Sequence, residues 1–473
     1  MNENQPTSAT ETEEKGFSNT PSYTELNSAY QQSIEKLDDS QRLPVFSASP
    51  KIAIEAPAGS GKTTVLTDAI AAYRNENVND RIWAITFTRA ATAERRSRLD
   101  AMGVRDVKIS TIHRWSGQEL QRLSHKYQFH RAILRKKEIT AILIAIVQDY
   151  LKTHKQYKSI NVSVLQNYVM ESHKMSDVSD SYRHRLNTLE ARYIAYKQQN
   201  HLYDGTDLPT YLKDVLIQYN DYIDDVDAIF VDEFQDVDPD QLAVLERVKC
   251  RKKFYIGDNW QAIYGFRGCC SKVFNELTGF EHVRLKYNYR SYQEIINYAT
   301  NFYHKCAMKA ATASVDDDGK AAIVGTSILS YEPTKAKEST NDITCVKGTG
   351  GLVISIDRFG DQRALGAAAS ERLCSDYQDT VKKYIDTYHP TFLCRTNKIV
   401  NALRDLGYSN VSTIHGAKGL EYENVIVVDS VFIDEDDINV AYVALTRAKD
   451  TELVINWGLL CPCLGGRLNG HYL

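Results

Sequence analysis

The residues best suited to chemistry lie in a stretch rich in small side chains, at positions 52–64. Residues 52–54 predict a short buried strand, residues 57–61 a loop, and Lys62 the start of a helix. Glycines let backbone N–H groups point inward, and the N-terminus of a helix carries partial positive charge. Lys62 would reach the β- and γ-phosphates of a nucleotide, and the Thr63 hydroxyl would hold Mg²⁺. The residues assigned to phosphate binding are Ala58, Gly59, Ser60, Gly61, Lys62, Thr63 and Thr64.

A second candidate site is the acidic end of a predicted strand. Residues 227–231 are largely apolar and are followed directly by Asp232 and Glu233. The first carboxylate can hold Mg²⁺ through water, and the second can orient or deprotonate an attacking water. Together with the phosphate loop, this pair predicts a nucleotide hydrolase. Gln41, just before the first strand, could pair with an adenine edge, although a lone glutamine is more often a surface residue.

A third candidate is the loop at residues 259–268, which combines a glutamine, aromatic residues and an arginine. The amide of Gln261 could sense the γ-phosphate. Tyr264 and Phe266 could offer stacking faces to unpaired bases. The alternative is that both aromatic side chains belong to the core beneath the loop.

Strands and helices alternate along most of the chain, which is typical of a doubly wound parallel sheet with ligands at the carboxyl ends of its strands. Predicted strands of the first half are 52–54, 82–87, 107–111, 227–231 and 254–258, and those of the second half are 321–326, 352–356, 392–395 and 424–429. A helix is predicted at 90–99, with Arg95, Arg96 and Arg98 on a solvated face. Residues 115–219 have helical spacing and almost no glycine, which predicts an inserted helical domain.

Composition limits the remaining possibilities. The 473 residues carry a net charge of −4, so any nucleic-acid binding requires a local groove rather than a basic surface overall. The nine cysteines are scattered, which favours reduced thiols in a cytoplasmic protein. The apolar segments are too short to cross a membrane.

Eight short blocks, in this order, resemble the superfamily-one DNA helicases of the UvrD, Rep and RecB group. They lie at residues 56–63, 86–94, 111–113, 232–236, 257–267, 288–291, 415–421 and 443–449. Ala56 replaces the glycine of the general phosphate-loop pattern but agrees with that group's own version. The block at 86–94 looks closest to the RecB branch.

The resemblance implies an α/β fold with two RecA-like parallel-sheet domains and one inserted helical domain. The expected division is a disordered tail at 1–22, a first RecA-like domain at 23–115 plus 220–279, a helical accessory domain at 116–219, and a second RecA-like domain at 280–473. Two differences from larger members are expected. Residues 398–413 leave no room for a second accessory domain, and only a short tail without a nuclease cluster follows Lys449.

The resemblance also implies the cofactors ATP and Mg²⁺ and a set of roles at the nucleotide. Asp232 would share the metal with Thr63, and Glu233 would activate water. Gln261 would link the γ-phosphate to the DNA track. The remaining nucleotide contacts would be Arg290 and Arg447 as arginine fingers, Tyr289 stacked on adenine, Gln41 on the adenine edge, and Glu421 on the ribose.

The expected activity is ATP-driven 3′-to-5′ movement on single-stranded DNA, with unwinding of a duplex that carries a 3′ overhang. The residues expected to contact DNA are Phe87, Arg89, His113, Tyr264, Phe266, Arg267 and His415. The alternative is a DNA-sensing ATPase subunit of a nuclease-paired or phage-defence complex. RNA remains open because nothing in the sequence reads a 2′-hydroxyl. A nucleotide-binding scaffold without turnover is disfavoured, because such a protein has little use for both Glu233 and Arg447.

Overall fold

The computed structural model describes residues 28–129, 132–156, 159–170, 180–263, 277–312, 344–356, 367–428, 435–455 and 457–465. The expected tail at 1–22, the predicted strand at 321–326, and the DNA contacts expected at Tyr264, Phe266 and Arg267 lie outside these residues. No helix within the described ranges is long and apolar enough to cross a membrane.

The first half of the chain forms a parallel sheet with the strand order β3-β2-β4-β5-β1-β6. Its strands are β1 (Lys51–Glu55), β2 (Ile82–Thr86), β3 (Val107–Thr111), β4 (Ala228–Val231), β5 (Lys252–Gly257) and β6 (Glu281–Arg284). All five strands predicted here are present, because their apolar runs are covered on both faces of the sheet. The sixth strand was not predicted. It pairs with β1, so the boundary expected at residue 280 was wrong and must lie after Arg284.

Helices cover both faces of this sheet. In chain order they are α1 (Ser28–Lys36), α2 (Asp39–Val45), α3 (Lys62–Glu76), α4 (Arg89–Ala101), α5 (Ile112–Tyr127), α6 (Lys136–Thr153), α7 (Val162–Met170), α8 (Asp180–Gln199), α9 (Leu208–Gln218) and α10 (Pro239–Glu246). One core contains side chains of β1, α3 and α4, and the opposite core contains side chains of α5, α9 and α10. The sheet is therefore a rigid platform between two apolar layers.

The inserted helical unit has a core of its own, built by α6, α7 and α8. Leu143, Leu165 and Tyr193 are fully buried at its centre. Helices α5 and α9 do not belong to it. Their side chains, among them Trp115 and Leu212, pack against the first sheet. The expected boundaries of 116 and 219 were therefore too wide, because both flanking helices belong to the sheet domain.

The second half forms another parallel sheet, with the order β11-β10-β12-β13-β9, and a separate pair of strands, β7 and β8. The strands are β7 (Tyr287–Asn288), β8 (Thr344–Cys345), β9 (Leu352–Ile356), β10 (Thr391–Cys394), β11 (Val411–Thr413), β12 (Tyr422–Val428) and β13 (Ala448–Ile455). The two parallel sheets confirm the predicted α/β class. The expectation of only a short tail after Lys449 was wrong, because β13 lies between β12 and β9 inside the sheet.

The helices of this half are α11 (Gln293–Thr312), α12 (Ala367–Tyr388), α13 (Asn397–Asp405), α14 (Ile414–Ala417), α15 (Glu435–Leu445) and α16 (Trp457–Cys463). Between β10 and β11 the chain contains only α13 and a turn around Gly407. Strand β11 leads directly into α14, which begins at Ile414. This connection keeps His415 and the following residues at the carboxyl edge of the second sheet.

Candidate nucleotide site

The loop after β1 has the backbone geometry of a phosphate cradle. Gly59 and Gly61 adopt φ angles of +72° and +81°, which side chains disfavour. A Cβ on Gly59 would lie 2.4 Å from Asn288 Nδ2, and one on Gly61 would lie 2.6 Å from Gln41 Nε2. Only glycine therefore fits at either position. Helix α3 starts at Lys62 without a side-chain cap among the described residues, so its first N–H groups remain available to an anion.

A buried hydroxyl in the loop also indicates phosphate binding. Ser60 Oγ is buried and has no hydrogen-bond partner among the described residues. Such a group costs free energy unless something else binds it. The phosphate oxygens of a nucleotide would accept its hydrogen bond. The loop residues therefore fit a nucleoside triphosphate.

Lys62 and Glu233 meet at the carboxyl ends of β1 and β4. Lys62 Nζ donates to Glu233 Oε2 over 2.9 Å, and Gln235 Nε2 donates to the same oxygen over 2.6 Å. Burial alone would lower the pKa of Lys62, but Glu233, Asp258 and Asp232 raise it above its ordinary value. Burial would raise the pKa of Glu233, but Lys62 and Lys418 hold it below its ordinary value. Both groups are therefore charged near neutral pH, as a phosphate ligand and a base require.

The backbone at Glu233 is strained, which is common at functional sites. Its φ angle is +48°, in the left-handed region that non-glycine residues rarely adopt. The side chain is thereby carried out of the line of β4 toward Lys62. Thr63, Asp232 and Glu233 supply hydroxyl and carboxylate oxygens of the kind that Mg²⁺ prefers, and they could hold the ion beside the phosphates.

Asp232 has a cationic partner that the sequence did not reveal. Its Oδ2 accepts hydrogen bonds from Arg95 Nη2 over 2.7 Å and from Arg95 Nε over 3.2 Å. The expectation of a solvent-facing Arg95 was therefore wrong, since its side chain is 6% exposed. Helix α4 follows β2, the neighbour of β4, and Arg95 lies four residues before the buried Leu99 on the same face. That spacing was the available signal.

A cavity of about 470 Å³ opens beside the loop. It is lined by side chains of α1 and α2, of the first turns of α3, and of the last turn of α4, together with Tyr289. Tyr289, which is 37% exposed, forms one wall, as expected of a residue that stacks on the base. The cavity has the size and the apolar aromatic wall that a nucleotide base needs.

Gln41 lines this cavity, and its amide also supports the loop. Its Nε2 donates to the Ser60 carbonyl over 2.9 Å, and its Oε1 accepts from the Asp38 N–H over 3.2 Å. Asp38 in turn caps helix α2 through Oδ1 and accepts the Tyr289 hydroxyl through Oδ2. Asp38 therefore ties together Gln41 and Tyr289, the two residues expected at the base.

We expect Asp38→Asn and Tyr289→Phe to weaken ADP binding by a similar factor, about five- to tenfold. Asparagine keeps the capping oxygen of Asp38 but cannot accept the Tyr289 hydroxyl, and phenylalanine keeps the ring but has no hydroxyl. Titration of a fluorescent ADP analogue measures both. The double variant should bind no more weakly than either single variant. Additive losses would show that the two residues act independently.

Gln261 joins the two halves at the nucleotide site. Its Nε2 donates to Asp258 Oδ2 over 2.6 Å, and its Oε1 accepts from Arg447 Nη2 over 3.0 Å. Burial, with repulsion from Arg290, lowers the pKa of Arg447 to about 9. Arg447 is still protonated at neutral pH, and Gln261 links it to Asp258 after β5.

Arg290 and Glu421 lie together but do not line the cavity. Arg290 Nε donates to Glu421 Oε2 over 2.9 Å, and Lys449 Nζ contacts Glu421 Oε1 at 3.0 Å. The same segment also binds the loop, since the Asn288 side chain donates from Nδ2 to the Ala58 carbonyl over 2.6 Å and the Tyr289 N–H donates to the Gly59 carbonyl over 2.8 Å. Arg290 is thus held next to the cradle. Glu421, expected at the ribose, pairs with Arg290 and Lys449 in this structure.

A buried ion pair also crosses between the halves. Lys418 Nζ contacts both oxygens of Asp236, at 2.9 and 2.6 Å, and donates to the Gln261 carbonyl over 2.8 Å. Burial raises the pKa of Asp236 to about 6, against the opposing charge of Lys418. The pair therefore connects the strand end that carries Glu233 with the block at 415–421.

We expect Lys418→Met to destabilise the protein by about 3 kcal/mol at about pH 8, because it removes the cation that balances the buried Asp236 carboxylate. The folded-state pKa of Asp236 would rise further above its unfolded value, so the loss should shrink as the pH falls toward about 5. Urea-unfolding midpoints at the two pH values measure it. Combining Lys418→Met with Asp236→Asn should recover part of the loss. A loss that does not change with pH would contradict this account.

The described residues expected to contact DNA lie near the carboxyl ends of strands. Phe87 and Arg89 follow β2, and His113 follows the adjacent β3. Phe87 is half-buried against the core, whereas Arg89 is exposed. His415 takes the equivalent place after β11 of the second sheet. The structure therefore brings three of the expected contacts to one edge of the first sheet and the fourth to the same edge of the second.

Several partners at the site were not recognised from the sequence. They are Asp38, Arg95, Gln235, Asp236, Asp258, Asn288 and Lys418. Most of them lie inside blocks already identified, one to three residues from an assigned residue. Proximity in sequence was the signal, but their roles depend on contacts between strands and between halves.

The family model of the UvrD/REP helicase N-terminal domain matches residues 37–280, and that of the UvrD-like helicase C-terminal domain matches residues 408–455. The first match alone covers more than half of the chain. Both contain residues of the site just described.

Curated relatives carry helicase names. A probable DNA helicase of Mycoplasma pneumoniae is 27% identical over 465 residues, which is 88% of this chain and 82% of that protein. The ATP-dependent DNA helicase PcrA of Leuconostoc citreum is 27% identical over 289 residues, and DNA helicase II of Escherichia coli is 28% identical over 293 residues. Each covers 56% of this chain, but the chain covers only 38% and 40% of their lengths. From the family matches we conclude that the chain belongs to the UvrD/Rep family of superfamily-one, ATP-dependent DNA helicases.

Proposed function

We propose that this protein is an ATP-driven motor that moves 3′ to 5′ along single-stranded DNA and separates a duplex in its path. The observation that carries the proposal is the chain of hydrogen bonds from Asp258 through Gln261 to Arg447. It connects the phosphate site of the first half to a cation of the second half. A change at the γ-phosphate would therefore alter the fit between the halves.

Each residue of the site has a role in the proposed cycle of ATP binding and hydrolysis. Lys62 leaves Glu233 for the terminal phosphates, which frees the Glu233 carboxylate to orient and deprotonate the attacking water. Arg290 and Arg447 neutralise the negative charge that develops on the γ-phosphate. Bound Mg²⁺ would add a further charge next to Thr63 and Asp232. After hydrolysis these attractions weaken, and Gln261 and Lys418 transmit the change between the halves.

The proposed DNA path follows the carboxyl edges of both sheets. Phe87, His113 and His415 supply aromatic or flat faces for bases, and Arg89 supplies charge for the backbone. Tyr264, Phe266 and Arg267 are proposed to extend this path. With a net charge of −4, the protein depends on such local contacts rather than on a global attraction to DNA.

A second candidate function rests on one observation, the short connection between β10 and β11 by α13 and a turn. A second accessory domain is inserted here in larger members, according to the resemblance. A compact motor could serve as a DNA-stimulated ATPase subunit that senses DNA for a nuclease or a defence partner. Such a subunit would hydrolyse ATP on single strands without separating a duplex.

One experiment separates these functions. ATP hydrolysis is measured with and without single-stranded DNA, beside strand displacement on duplexes with a 3′ or a 5′ overhang. Stimulation with displacement from the 3′ overhang alone is the result expected of the proposed motor. Stimulation without displacement would favour the sensing subunit. No stimulation would contradict both functions.

A further inference from the structure

A permanent cation contacts the carboxylate assigned to Mg²⁺. Arg95 Nη2 and Nε both donate to Asp232 Oδ2, at 2.7 and 3.2 Å. The Arg95 guanidinium is charged near neutral pH, so a cation lies directly against Asp232. Both side chains are almost completely buried, at 6% and 1% exposure. The pair is therefore part of the interior rather than a surface contact.

The packing of helix α4 does not by itself require an arginine at this position. Arg95 lies on the buried face of α4, four residues before Leu99, where a long apolar side chain would pack without any loss of hydration. A complete buried ion pair generally adds little stability over two apolar side chains, whereas removal of one partner alone is destabilising. We therefore expect the arginine to influence how Asp232 binds the divalent ion.

The hydrogen bonds around Asp232 show which of its acceptor positions Arg95 occupies. Its Oδ2 already accepts two bonds from Arg95, and its Oδ1 accepts the N–H of Glu233 over 3.0 Å. A carboxylate oxygen accepts about two hydrogen bonds, so one acceptor position on Oδ1 is left. Asp232 can reach a metal-bound water through Oδ1 alone. Arg95 therefore fixes the carboxylate in a single orientation and balances its charge.

Other charges face the same carboxylate. Glu94 Oε2 lies 3.0 Å from Arg95 Nη1 on the solvent side. Lys62 and Glu233 form their own pair on the phosphate side. Arg95 is thus the cation held directly against Asp232, and a divalent ion would have to bind Asp232 in its presence.

We propose that Arg95 is a positioning residue for the metal carboxylate: it orients Asp232 and weakens its affinity for the divalent ion. The inference rests on the proposed nucleotide site, and it adds a residue that tunes the metal requirement. Because like charges repel, removing the arginine charge strengthens the attraction of Asp232 for Mg²⁺. Without metal, the same change leaves a buried carboxylate unbalanced.

The test measures binding of Mn²⁺ together with ADP to the full chain at about pH 8, by electron paramagnetic resonance. Arg95→Met and Arg95→Gln, which both remove the charge, are expected to bind Mn²⁺ about tenfold more tightly than the wild type. Arg95→Lys keeps the charge and should stay within about twofold. Arg96→Met is the matched control. Arg96 donates to the Val107 carbonyl and does not contact Asp232.

Thermal melting supplies the second readout. The two neutral variants should melt at lower temperature than the wild type in EDTA. Mn²⁺ with ADP should raise their melting temperature by more than it raises that of the wild type. If Arg95→Met does not fold, Arg95→Gln decides the question, because it retains a polar side chain.

Two results would overturn the inference. Unchanged or weaker Mn²⁺ affinity in the neutral variants would reduce Arg95 to a structural residue and leave the proposed function intact. Equal tightening in Arg96→Met would attribute the effect to net charge alone. Failure of the wild type to bind Mn²⁺ with ADP is a separate outcome, and it would overturn the nucleotide site itself.

Discussion

Replacing Lys62 by alanine is expected to lower DNA-stimulated ATP hydrolysis by at least about a thousandfold. Lys62 is the cation that can move from Glu233, 2.9 Å away, to the terminal phosphates. Its loss removes charge stabilisation from the phosphates and leaves the Glu233 carboxylate without its main partner. Steady-state hydrolysis in saturating single-stranded DNA measures the effect.

Lys152→Ala is the matched control, since Lys152 is an exposed lysine of α6 in the helical unit. It should hydrolyse ATP at the wild-type rate. Single-stranded DNA binding by Lys62→Ala without nucleotide should also persist, because the proposed DNA path does not include this residue. Hydrolysis within about tenfold of the wild type would remove Lys62 from the catalytic site.

The arrangement of the site follows from the order of strands in the first sheet. β1 lies next to β5, and β5 lies next to β4. The loop after β1, Asp258 after β5 and the carboxylates after β4 must therefore meet at one edge, whatever the intervening helices do. The sequence could predict this meeting because buried apolar strands and the residues that follow them are both visible in it.

Among the strands that were not predicted, β6 and β13 escaped for a physical reason. β6 (Glu281–Arg284) is an edge strand with three polar or charged residues, and only Val283 is buried. β13 has the charged residues Lys449 and Asp450 near its start, although its last five side chains are buried. A search for apolar runs misses edge strands, and it treats the charged start of β13 as a tail.

Arg95 escaped prediction for a different reason. Arginine on a helix is usually solvated, so the sequence alone favoured an exposed face. Its burial depends on Asp232, which lies far away in sequence at the end of the neighbouring strand β4. The interdomain contacts of Lys418 and Gln261 are of the same kind. Contacts between segments that are distant in sequence can be recognised only in the fold, whereas residues adjacent to a strand end can be recognised from the sequence.

Arg447 is the residue at which the coupling between the two halves can be tested. Its guanidinium is buried and donates to Gln261 Oε1, to the Val443 carbonyl over 2.8 Å and to the Leu420 carbonyl over 3.2 Å. These bonds hold the charged guanidinium of Arg447 rigidly in the second half. A rigid cation aimed at developing charge stabilises a transition state without first having to reorganise.

We expect Arg447→Lys to lower the rate of ATP hydrolysis by about a hundredfold and Arg447→Ala by about a thousandfold, with ADP affinity changed by less than about threefold. Lysine keeps the charge but cannot bridge Gln261 and the two carbonyls. Single-turnover hydrolysis and titration of a fluorescent ADP analogue separate the two effects. The control is Arg404→Ala, because Arg404 is an exposed arginine of α13. If ADP binding and hydrolysis fell together, Arg447 would be a general nucleotide ligand; a selective loss of hydrolysis identifies it as the cation that links γ-phosphate chemistry to the second half.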